Sequence, residues 1–339
     1  MIELSLKYDN YIECQLCPHF CKLKPGQTGI CGVRKNTGRQ IELMTYGAIS
    51  GYASDPIEKK PLYHYFPGSK ILSIGSYGCN MSCDFCQNFH ISQNIPESHN
   101  RPMMPEQIVN EALNARKNLG IAFTYNEPVI WFEYMKDVAE GVKKAGMHTV
   151  VVSNGYVNSE PLSEMLEFID AFNIDLKAFN NTFYRKLTGS YIEPVKSSLK
   201  QIAKSGRHLE ITTLIIPNEN DSEKEMLLQA EWIASELGKS VPLHLSRYFP
   251  IYKRENPSTP DETLTRLYEI ATSKLDYVYI GNTLSDKGQN TYCPKCGECV
   301  TTRSGYSTTL LNLEKDGKCN KCGNLIYRDS IFSFSSTRH

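Results

Sequence analysis

The sequence predicts an α/β fold organised around a parallel β-sheet, which is either open or closed into a barrel. Between residues 71 and 282, short apolar strands alternate with amphipathic helical stretches. Repeated units of this kind pair their strands in parallel through right-handed crossovers. The twelve cysteines form three groups, one inside this region and one on each side of it. This arrangement predicts metal-binding segments at both ends of a catalytic core.

Composition is that of a globular protein without a strong charge signature. The 339 residues include 37 basic and 37 acidic side chains, so charge favours neither nucleic acid nor an anionic membrane as a partner. No apolar run reaches the roughly 18 residues of a membrane span, and the first residues lack a signal-peptide pattern. We therefore expect a cytoplasmic protein without membrane contact, in which clustered cysteines are metal or redox ligands. Three parts are expected, with boundaries at 1–70, 71–282 and 283–339.

The N-terminal part carries four cysteines in a loop-rich stretch with little apolar content. We name them the first cysteine group: Cys14, Cys17, Cys21 and Cys31. Four thiolates around a metal would order such a stretch. Zinc is the first choice and an auxiliary iron–sulfur cluster the second, because spacing alone separates the two poorly. His19 lies inside the group and is expected to be a bystander, since four cysteines already complete a tetrahedral set.

A segment dense in charged and aromatic residues follows, within a short β-segment and loop expected over residues 37–70. Its sequence is Pro56-Ile-Glu-Lys-Lys-Pro-Leu-Tyr-His64. Lys59, Lys60 and His64 are candidates for contact with an anionic ligand. A solvated connector bounded by prolines is the favoured interpretation.

Seven strands and six helices are predicted in the central part. The strands are short and rich in apolar, β-branched or aromatic residues, and are expected at 71–76, 121–125, 148–153, 171–176, 208–215, 241–246 and 277–281. The helices repeat apolar residues at helical spacing, and are expected at 105–118, 129–145, 160–169, 192–205, 221–237 and 260–273. In an open sheet and in a barrel alike, ligands gather at the C-terminal ends of parallel strands.

Directly after the first predicted strand come three cysteines in the spacing C-x3-C-x2-C. They are Cys79, Cys83 and Cys86. Iron–sulfur clusters prefer thiolate ligands, and three cysteines leave one iron of a [4Fe–4S] cluster open to substrate. The spacing therefore predicts a catalytic cluster. The alternative is a set of reduced structural cysteines or part of a zinc site.

Polar side chains also stand at the predicted ends of the later strands. Single residues of this kind are typical of turns and helix caps, but their recurrence beside a cluster loop indicates a binding site. The segments are 124–128, 153–156, 175–177, 216–221, 244–247 and 281–283.

The C-terminal part contains two C-x2-C-G knuckles, which predict a zinc ribbon. We name their cysteines the last cysteine group: Cys293, Cys296, Cys319 and Cys322. Rubredoxin-type iron is the alternative metal, and Cys299 is a spare thiol. A structural cap is the default role, with binding of nucleic acid or protein as alternatives. Residues 285–291 are expected to be a linker, and 330–339 a frayed tail.

Together these motifs resemble the radical S-adenosylmethionine (SAM) superfamily, most closely its pyruvate formate-lyase activating enzymes. Within that group, the chain resembles the radical SAM enzyme of the AmmeMemoRadiSam system over roughly residues 10–330. The cysteine spacing with Phe85 before the third cysteine is the most specific part of the likeness. The other supporting segments are the first cysteine group, 56–64, 124–128, 170–177, 183–187 and 279–282.

The resemblance implies a partial (β/α)6 barrel with one open side and a [4Fe–4S] cluster held by Cys79, Cys83 and Cys86. SAM would bind the open iron and be cleaved reductively to a 5′-deoxyadenosyl radical, which abstracts a hydrogen atom from a substrate. A low-potential electron donor such as flavodoxin or ferredoxin is implied. The substrate is left open, with activation or modification of a protein as one option.

The resemblance also implies contacts to SAM. Phe85 would lie near the adenine, and Lys177 would meet the carboxylate. Glu127 would accept from the ammonium, where the family's Gly-Gly-Glu segment is replaced here by Tyr-Asn-Glu. Further implied cofactor contacts are Asn126, Ser153, Asn154, Asp175 and His244.

Two other function classes compete with a radical SAM enzyme. A non-catalytic iron–sulfur electron carrier or sensor would leave the polar strand ends without a task. A zinc-ribbon protein that binds nucleic acid would be expected to carry a basic patch, and the neutral overall charge makes nucleic acid an unlikely partner.

Overall fold

The protein was analysed as a computed structural model, which describes residues 4–96, 101–283 and 285–328. It begins with two small antiparallel sheets that carry the first cysteine group. One sheet has the order β1-β2-β3, and the other pairs β4 with β5. These strands are β1 Ser5–Lys7, β2 Ile12–Cys14, β3 Lys22–Leu23, β4 Arg34–Asn36 and β5 Ile41–Leu43.

An eight-stranded sheet forms the centre of the molecule. Its strands are β6 Gly51–Pro56, β7 Lys70–Gly75, β8 Asn118–Phe123, β9 His148–Ser153, β10 Ala171–Asp175, β11 His208–Ile215, β12 Leu243–Arg247 and β13 Val278–Gly281. Their order in the sheet follows their order in the chain. Strands β7 to β13 pair in parallel, and β6 pairs antiparallel with β7 at one edge. The prediction of a mostly parallel central sheet is therefore confirmed.

Helices connect the parallel strands. They are α1 Phe89–Ser92, α2 Pro105–Asn114, α3 Phe132–Lys144, α4 Ser159–Phe168, α5 Asn181–Phe183, α6 Ile192–Ser205, α7 Glu223–Ile233 and α8 Asp261–Thr272. Local sequence explains several of their ends. Helix α7 begins where the Ser222 side chain accepts the Glu225 backbone N–H, which satisfies an N-terminal donor. Helix α6 ends at Gly206 in the left-handed conformation, the usual C-terminal stop.

The two faces of the sheet are covered by different parts of the chain. On one face, side chains such as Ile74 and Phe123 pack with the helices in the main core. On the other face, Leu62 and Tyr65 from the segment between β6 and β7 pack against Ile71 and other strand residues. This segment, which was expected to be a solvated connector, is thus largely buried.

The C-terminal ribbon packs against that buried segment. It is an antiparallel sheet of β14 Thr291–Tyr292, β15 Cys299–Ser304 and β16 Ser307–Leu310. The Arg303 guanidinium donates to the Tyr63 carbonyl oxygen at 3.0 Å and lies 4.2 Å from the centroid of the Tyr63 ring. Thr308 donates to the Glu58 carboxylate at 2.7 Å. The ribbon is therefore fastened to the sheet through buried polar contacts.

The segment expected to be a linker also folds back onto the sheet. The Gln289 side chain donates to the Ile280 carbonyl oxygen at 2.5 Å, and Ile280 donates to the Gly288 carbonyl oxygen at 3.0 Å. The tail expected at 330–339 lies outside the described residues. Within the described ranges, no helix is both long enough and apolar enough to cross a bilayer.

Candidate active site

Three cysteines lie in a loop at the C-terminal end of β7. We call residues 76–88 the cysteine loop. The backbone N–H of Ser82 donates to the Thr188 carbonyl oxygen at 2.9 Å, and that of Asp84 donates to the Leu187 carbonyl oxygen at 3.1 Å. The π-helical turn after α5 therefore holds the middle of the loop in place.

Asn126, from the end of β8, secures the start of the cysteine loop. Its side-chain oxygen accepts the Ser76 N–H at 2.9 Å, and its amide donates to the Gly78 carbonyl oxygen at 3.0 Å. Asn126 thus uses both ends of its amide on backbone that leads directly to Cys79. The cofactor contact implied by the resemblance stays a prediction, and the structure gives Asn126 a loop-positioning role.

Asn154, from the end of β9, reaches the first cysteine. Its amide nitrogen lies 3.7 Å from the Cys79 sulfur and donates to the Asn80 side-chain oxygen at 2.9 Å. Asn80 in turn donates to the Tyr156 carbonyl oxygen at 2.8 Å. Sequence analysis did not select Asn80, because an asparagine inside a loop has an ordinary turn role.

Glu127 is a buried carboxylate next to these residues. It accepts the Ser153 hydroxyl at 2.7 Å, the Asn154 N–H at 2.8 Å and the Val129 N–H at 3.0 Å. Burial raises the pKa of Glu127 to about 7, and the three hydrogen bonds oppose that rise. The carboxyl group therefore changes charge near neutral pH.

Lys177 stands on the other side of the cysteine loop, just after β10. Its Nζ lies 2.8 Å from an Asp175 carboxylate oxygen, and its backbone N–H donates to the Tyr184 hydroxyl at 3.0 Å. Burial alone would lower the pKa of Lys177, but the nearby Asp175 carboxylate and Cys83 thiol raise it above its usual value. Lys177 is therefore a cation beside Cys83.

Phe85 and His244 occupy buried positions. The Phe85 ring packs 5.6 Å from that of Phe183. His244, on β12, lies level with Asp175 in the sheet, because both pair with Thr212. Its Nε2 lies 2.7 Å from a Glu210 carboxylate oxygen, so the His244 ring is already engaged.

Glu210 organises a buried network that sequence analysis missed. Its carboxylate also accepts the N–H groups of Tyr63 and His64 and lies 2.9 Å from Nε2 of His208. Burial alone would raise the pKa of Glu210, but the two histidines hold it well below its usual value. The sequence signal for this network was a glutamate in the middle of a strand, because a buried carboxylate needs several hydrogen-bond partners.

Tyr125, directly before Asn126, has a strained backbone with φ of 71°. Its carbonyl oxygen accepts from the Asn88 side chain at 2.7 Å, and its hydroxyl donates to Asp55 at 2.7 Å. Asp55 also pairs with Lys59 and Lys60 at 2.9 and 2.8 Å. Strain of this kind is found where the surroundings fix a functional loop. The two lysines thus share the single negative charge of Asp55.

A second ion pair missed by sequence analysis fastens the outer side of the cysteine loop. Arg254 donates to the Asp84 carboxylate at 2.8 Å and to the Glu219 carboxylate at 2.6 Å. The Lys253 N–H donates to the Asp84 carbonyl oxygen at 3.0 Å. The loop after β12 therefore supports the cysteine loop directly.

Comparison with known proteins identifies the family. The family model described as "Radical SAM superfamily" matches residues 73–230, which include the cysteine loop and the ends of β7 to β11. An uncharacterized protein of Methanocaldococcus jannaschii is 41% identical over 323 residues, covering 94% of this chain and 96% of that protein. Residues 73–230 are therefore a radical SAM domain.

Two further similarities concern an activating enzyme and a shared fold. The pyruvate formate-lyase 1-activating enzyme of Escherichia coli is 23% identical over 197 residues, which is 56% of this chain and 78% of that enzyme. A radical SAM methyltransferase from Sphaerobacter thermophilus shares the fold, with a TM-score of 0.51 at 15% identity over 65% of this chain and 68% of that one. The chain thus has a radical SAM domain with homology to activating enzymes.

Radical SAM proteins use a [4Fe–4S] cluster and SAM, and the donor set of the cysteine loop fits such a cluster. Cys79, Cys83 and Cys86 come from one short loop, and thiolates are the ligands that iron–sulfur clusters require. Cys83 is buried and Cys79 is partly exposed, and Asn154 and Lys177 flank them. The site therefore offers three sulfur ligands with an amide donor and a cation beside them.

The last cysteine group forms a compact four-sulfur site. Its sulfur atoms all lie within 4.8 Å of one another, with Cys293 and Cys322 3.5 Å apart and Cys296 and Cys319 3.7 Å apart. Gly297 and Gly323 follow the knuckles with φ near +73° and +72°, which glycine adopts freely. A four-cysteine cluster that could hold a metal ion is thus present, whereas the Cys299 sulfur is turned toward the Thr301 carbonyl oxygen.

The first cysteine group surrounds a small enclosed space below the cysteine loop. All four cysteines line it, together with His19, Leu16 and Ile130. Burial raises the pKa of the Cys17 thiol to about 12. A buried thiol of this kind becomes a thiolate when a cation binds it.

Proposed function

We propose that this protein is a radical SAM enzyme whose cysteine loop holds the catalytic cluster through Cys79, Cys83 and Cys86. The single observation that carries the proposal is the convergence of strand-end side chains on this loop, with the Asn154 amide 3.7 Å from the Cys79 sulfur. A [4Fe–4S] cluster bound there supplies one electron that cleaves SAM to methionine and a 5′-deoxyadenosyl radical, which takes a hydrogen atom from the substrate.

The chain's own residues bind and orient SAM in this proposal. Glu127 accepts from the ammonium group on the Cys79 side, and Lys177 meets the carboxylate on the Cys83 side. SAM needs opposite charges at these two groups, and the two side chains supply them. Phe85 contributes an apolar wall for the adenine. The remaining proposed contacts are Asn126, Ser153, Asn154, Asp175 and His244.

We also propose that the central sheet curls into a partial (β/α)6 barrel open at one side. The strictly sequential order of β7 to β13 supports this, because right-handed crossovers between neighbouring strands place successive helices on one face. In such a barrel the Glu210–His244 network closes the interior below the SAM site. The enclosed site would exclude water and competing hydrogen donors.

The substrate class follows from the relatives and is part of the proposal. Homology to pyruvate formate-lyase activating enzymes favours activation or modification of a protein, within an AmmeMemoRadiSam-type system. A flavodoxin or ferredoxin would supply the electron. The last cysteine group would hold structural zinc. The ribbon would not bind nucleic acid through Arg303 and Thr308, because these side chains are occupied by Tyr63 and Glu58.

A SAM-binding titration tests the proposal. The anaerobically reconstituted protein is titrated with SAM, and the loop-cysteine triple variant, Cys79→Ala, Cys83→Ala and Cys86→Ala, is titrated in parallel. We expect saturable binding by the first and strongly weakened binding by the second. Cys299→Ala is the matched control, and it should bind SAM as the unaltered protein does. Equal binding by the triple variant would refute the assignment of the loop.

A further inference from the structure

We propose that the first cysteine group binds a multinuclear iron–sulfur cluster rather than a single zinc ion. The last cysteine group provides the standard for comparison. Sulfur atoms bound to one zinc ion at about 2.3 Å in a tetrahedron lie about 3.8 Å apart, and never more than about 4.6 Å. The last group matches this arrangement, with sulfur pairs at 3.5 and 3.7 Å.

The first cysteine group has wider spacing. In the described ranges, the last group is the only set of three or more cysteine, histidine or carboxylate ligands whose atoms all lie within 4.8 Å of one another. No three of the four sulfur atoms in the first group are therefore that close together, although all four line one enclosed space. Each thiolate of a [4Fe–4S] cluster binds a different iron atom, so its ligands stand farther apart than ligands of a single ion.

The cysteine loop provides a second comparison within the same chain. Cys79, Cys83 and Cys86 also fall outside the 4.8 Å limit, and their donor set fits a [4Fe–4S] cluster. In the spacing of its sulfur atoms, the first group thus resembles the cysteine loop, which fits an iron–sulfur cluster, and differs from the last group, which fits zinc. Cys14, Cys31 and Cys83 belong to one hydrophobic core, and Cys21, Cys79 and Cys86 pack against it.

Backbone amides around the enclosed space are aimed at the sulfur atoms. The N–H groups of His19, Ile30 and Val33 are directed at Cys17, Cys21 and Cys31, respectively. Hydrogen bonds from amides to sulfur help to set the properties of iron–sulfur clusters. The enclosed space therefore has both the ligands and the donors that such a cluster takes.

The first group also lies directly against the cysteine loop. Nε2 of His19 donates to the Asn80 carbonyl oxygen at 2.7 Å, one residue after Cys79. A side chain at Gly78 would place its Cβ 2.5 Å from the Cys31 carbonyl oxygen, so the two backbones are in contact. A cluster held by the first group would therefore share a wall with the cluster of the cysteine loop.

Metal analysis of the full chain tests this inference independently of the proposed function. The loop-cysteine triple variant is reconstituted anaerobically with iron, sulfide and zinc offered together. We expect about four iron atoms and about four sulfides per chain, about one zinc ion, and the visible absorption of a [4Fe–4S] cluster. About two zinc ions without iron, or one iron atom without sulfide, would overturn the inference. Either result would leave the assignment of the cysteine loop intact, because that loop has no thiols in this variant.

Further substitutions in the triple variant assign the metals to their sites. Adding Cys14→Ala and Cys21→Ala should remove the iron and keep the zinc, whereas adding Cys293→Ala and Cys296→Ala should do the reverse. Iron that persists without Cys14 and Cys21 would contradict the inference. If the triple variant does not fold, Mössbauer counting on the unaltered protein decides instead: about eight iron atoms supports the inference, and about four contradicts it.

Discussion

Nζ of Lys177 lies 2.8 Å from a carboxylate oxygen of Asp175, and both side chains stand at the end of β10 beside the cysteine loop. Asp170, at the other end of that strand, is engaged by Lys143 at 2.6 Å and Arg207 at 3.4 Å. The Lys177–Asp175 pair therefore lies at the C-terminal edge of the sheet, where parallel sheets bind their ligands. A carboxylate ligand arriving there would meet a cation that is already held in place.

Lys177→Met is expected to weaken SAM binding, because it keeps most of the side-chain length and removes the charge. A charge-assisted contact contributes about 1.5–3 kcal/mol, so affinity should fall roughly tenfold to a hundredfold. SAM affinity, melting temperature and iron content are measured on one preparation. Iron content should stay unchanged.

Lys143→Met is the matched control, since it breaks a comparable lysine–aspartate pair at the far end of the strand. It should leave SAM affinity unaltered. If Lys177→Met lowered the melting temperature without changing SAM affinity, Lys177 would be a structural residue and the proposed clamp would be wrong.

SAM binding should depend on pH through Glu127. Burial raises the pKa of Glu127 to about 7, so the carboxyl group is protonated and neutral below that pH and cannot match the SAM ammonium. Affinity should therefore fall as pH decreases through about 7, by up to about tenfold per pH unit. Titrations between about pH 6 and 8.5 measure this dependence.

Glu127→Gln separates charge from shape in the same titration. The amide keeps the size of the side chain but carries no charge and has one acceptor oxygen in place of two, so affinity should be low and independent of pH. Glu236→Gln, at an exposed helical site, is the control, and its SAM affinity should depend on pH as that of the unaltered protein does. A Glu127→Gln variant with the same pH profile as the unaltered protein would show that another group controls binding.

Arg254→Met should make the cluster of the cysteine loop easier to remove. The substitution breaks the ion pairs to Asp84 and Glu219, and partly exposed pairs are each worth about 0.2–1 kcal/mol. Iron release to a chelator should accelerate by roughly twofold to thirtyfold. Arg266→Met, which breaks an exposed pair with Glu223, should leave the rate unchanged. Equal rates in the two variants would mean that the Asp84 contact does not support the loop.

Arg303→Met should destabilise the docking of the ribbon without affecting SAM. Arg303 is buried and donates to Tyr63, Thr291 and Gln289 at 2.8–3.1 Å, so its loss leaves buried acceptors unpaired. The free energy of unfolding should fall by about 2–4 kcal/mol, measured by denaturant titration. Lys321→Met, which breaks the exposed pair with Glu298, should change the free energy of unfolding by less than about 1 kcal/mol. A wild-type stability for Arg303→Met would contradict the described docking.

The local sequence pattern was sufficient to predict the positions of most strands of the sheet. The predicted bounds 148–153 and 208–215 coincide with β9 and β11, because apolar and β-branched residues predominate in each strand. Strand β8 begins earlier than the predicted 121, at Asn118. Gly120 interrupts its apolar pattern, yet a Cβ there would lie 1.8 Å from the His148 carbonyl oxygen, so the strand requires glycine.

Long-range polar contacts were beyond the reach of sequence patterns. The cysteine spacing and the strand-end asparagines predicted a site, which stays a prediction, and the radical SAM domain is confirmed. The pairing of Asp84 with Arg254 and of Glu210 with His244 arises only when distant strands meet in the sheet. Sulfur spacing is likewise a tertiary property, which is why the sequence left zinc and iron–sulfur as alternatives for the first cysteine group.

Production of 5′-deoxyadenosine tests the central claim most directly. The anaerobically reconstituted protein is reduced and incubated with SAM, alongside the loop-cysteine triple variant and Cys299→Ala. The unaltered protein and Cys299→Ala should both form 5′-deoxyadenosine and methionine, and the triple variant should form none. If the triple variant formed 5′-deoxyadenosine at the rate of the unaltered protein, the cysteine loop would not be the catalytic centre.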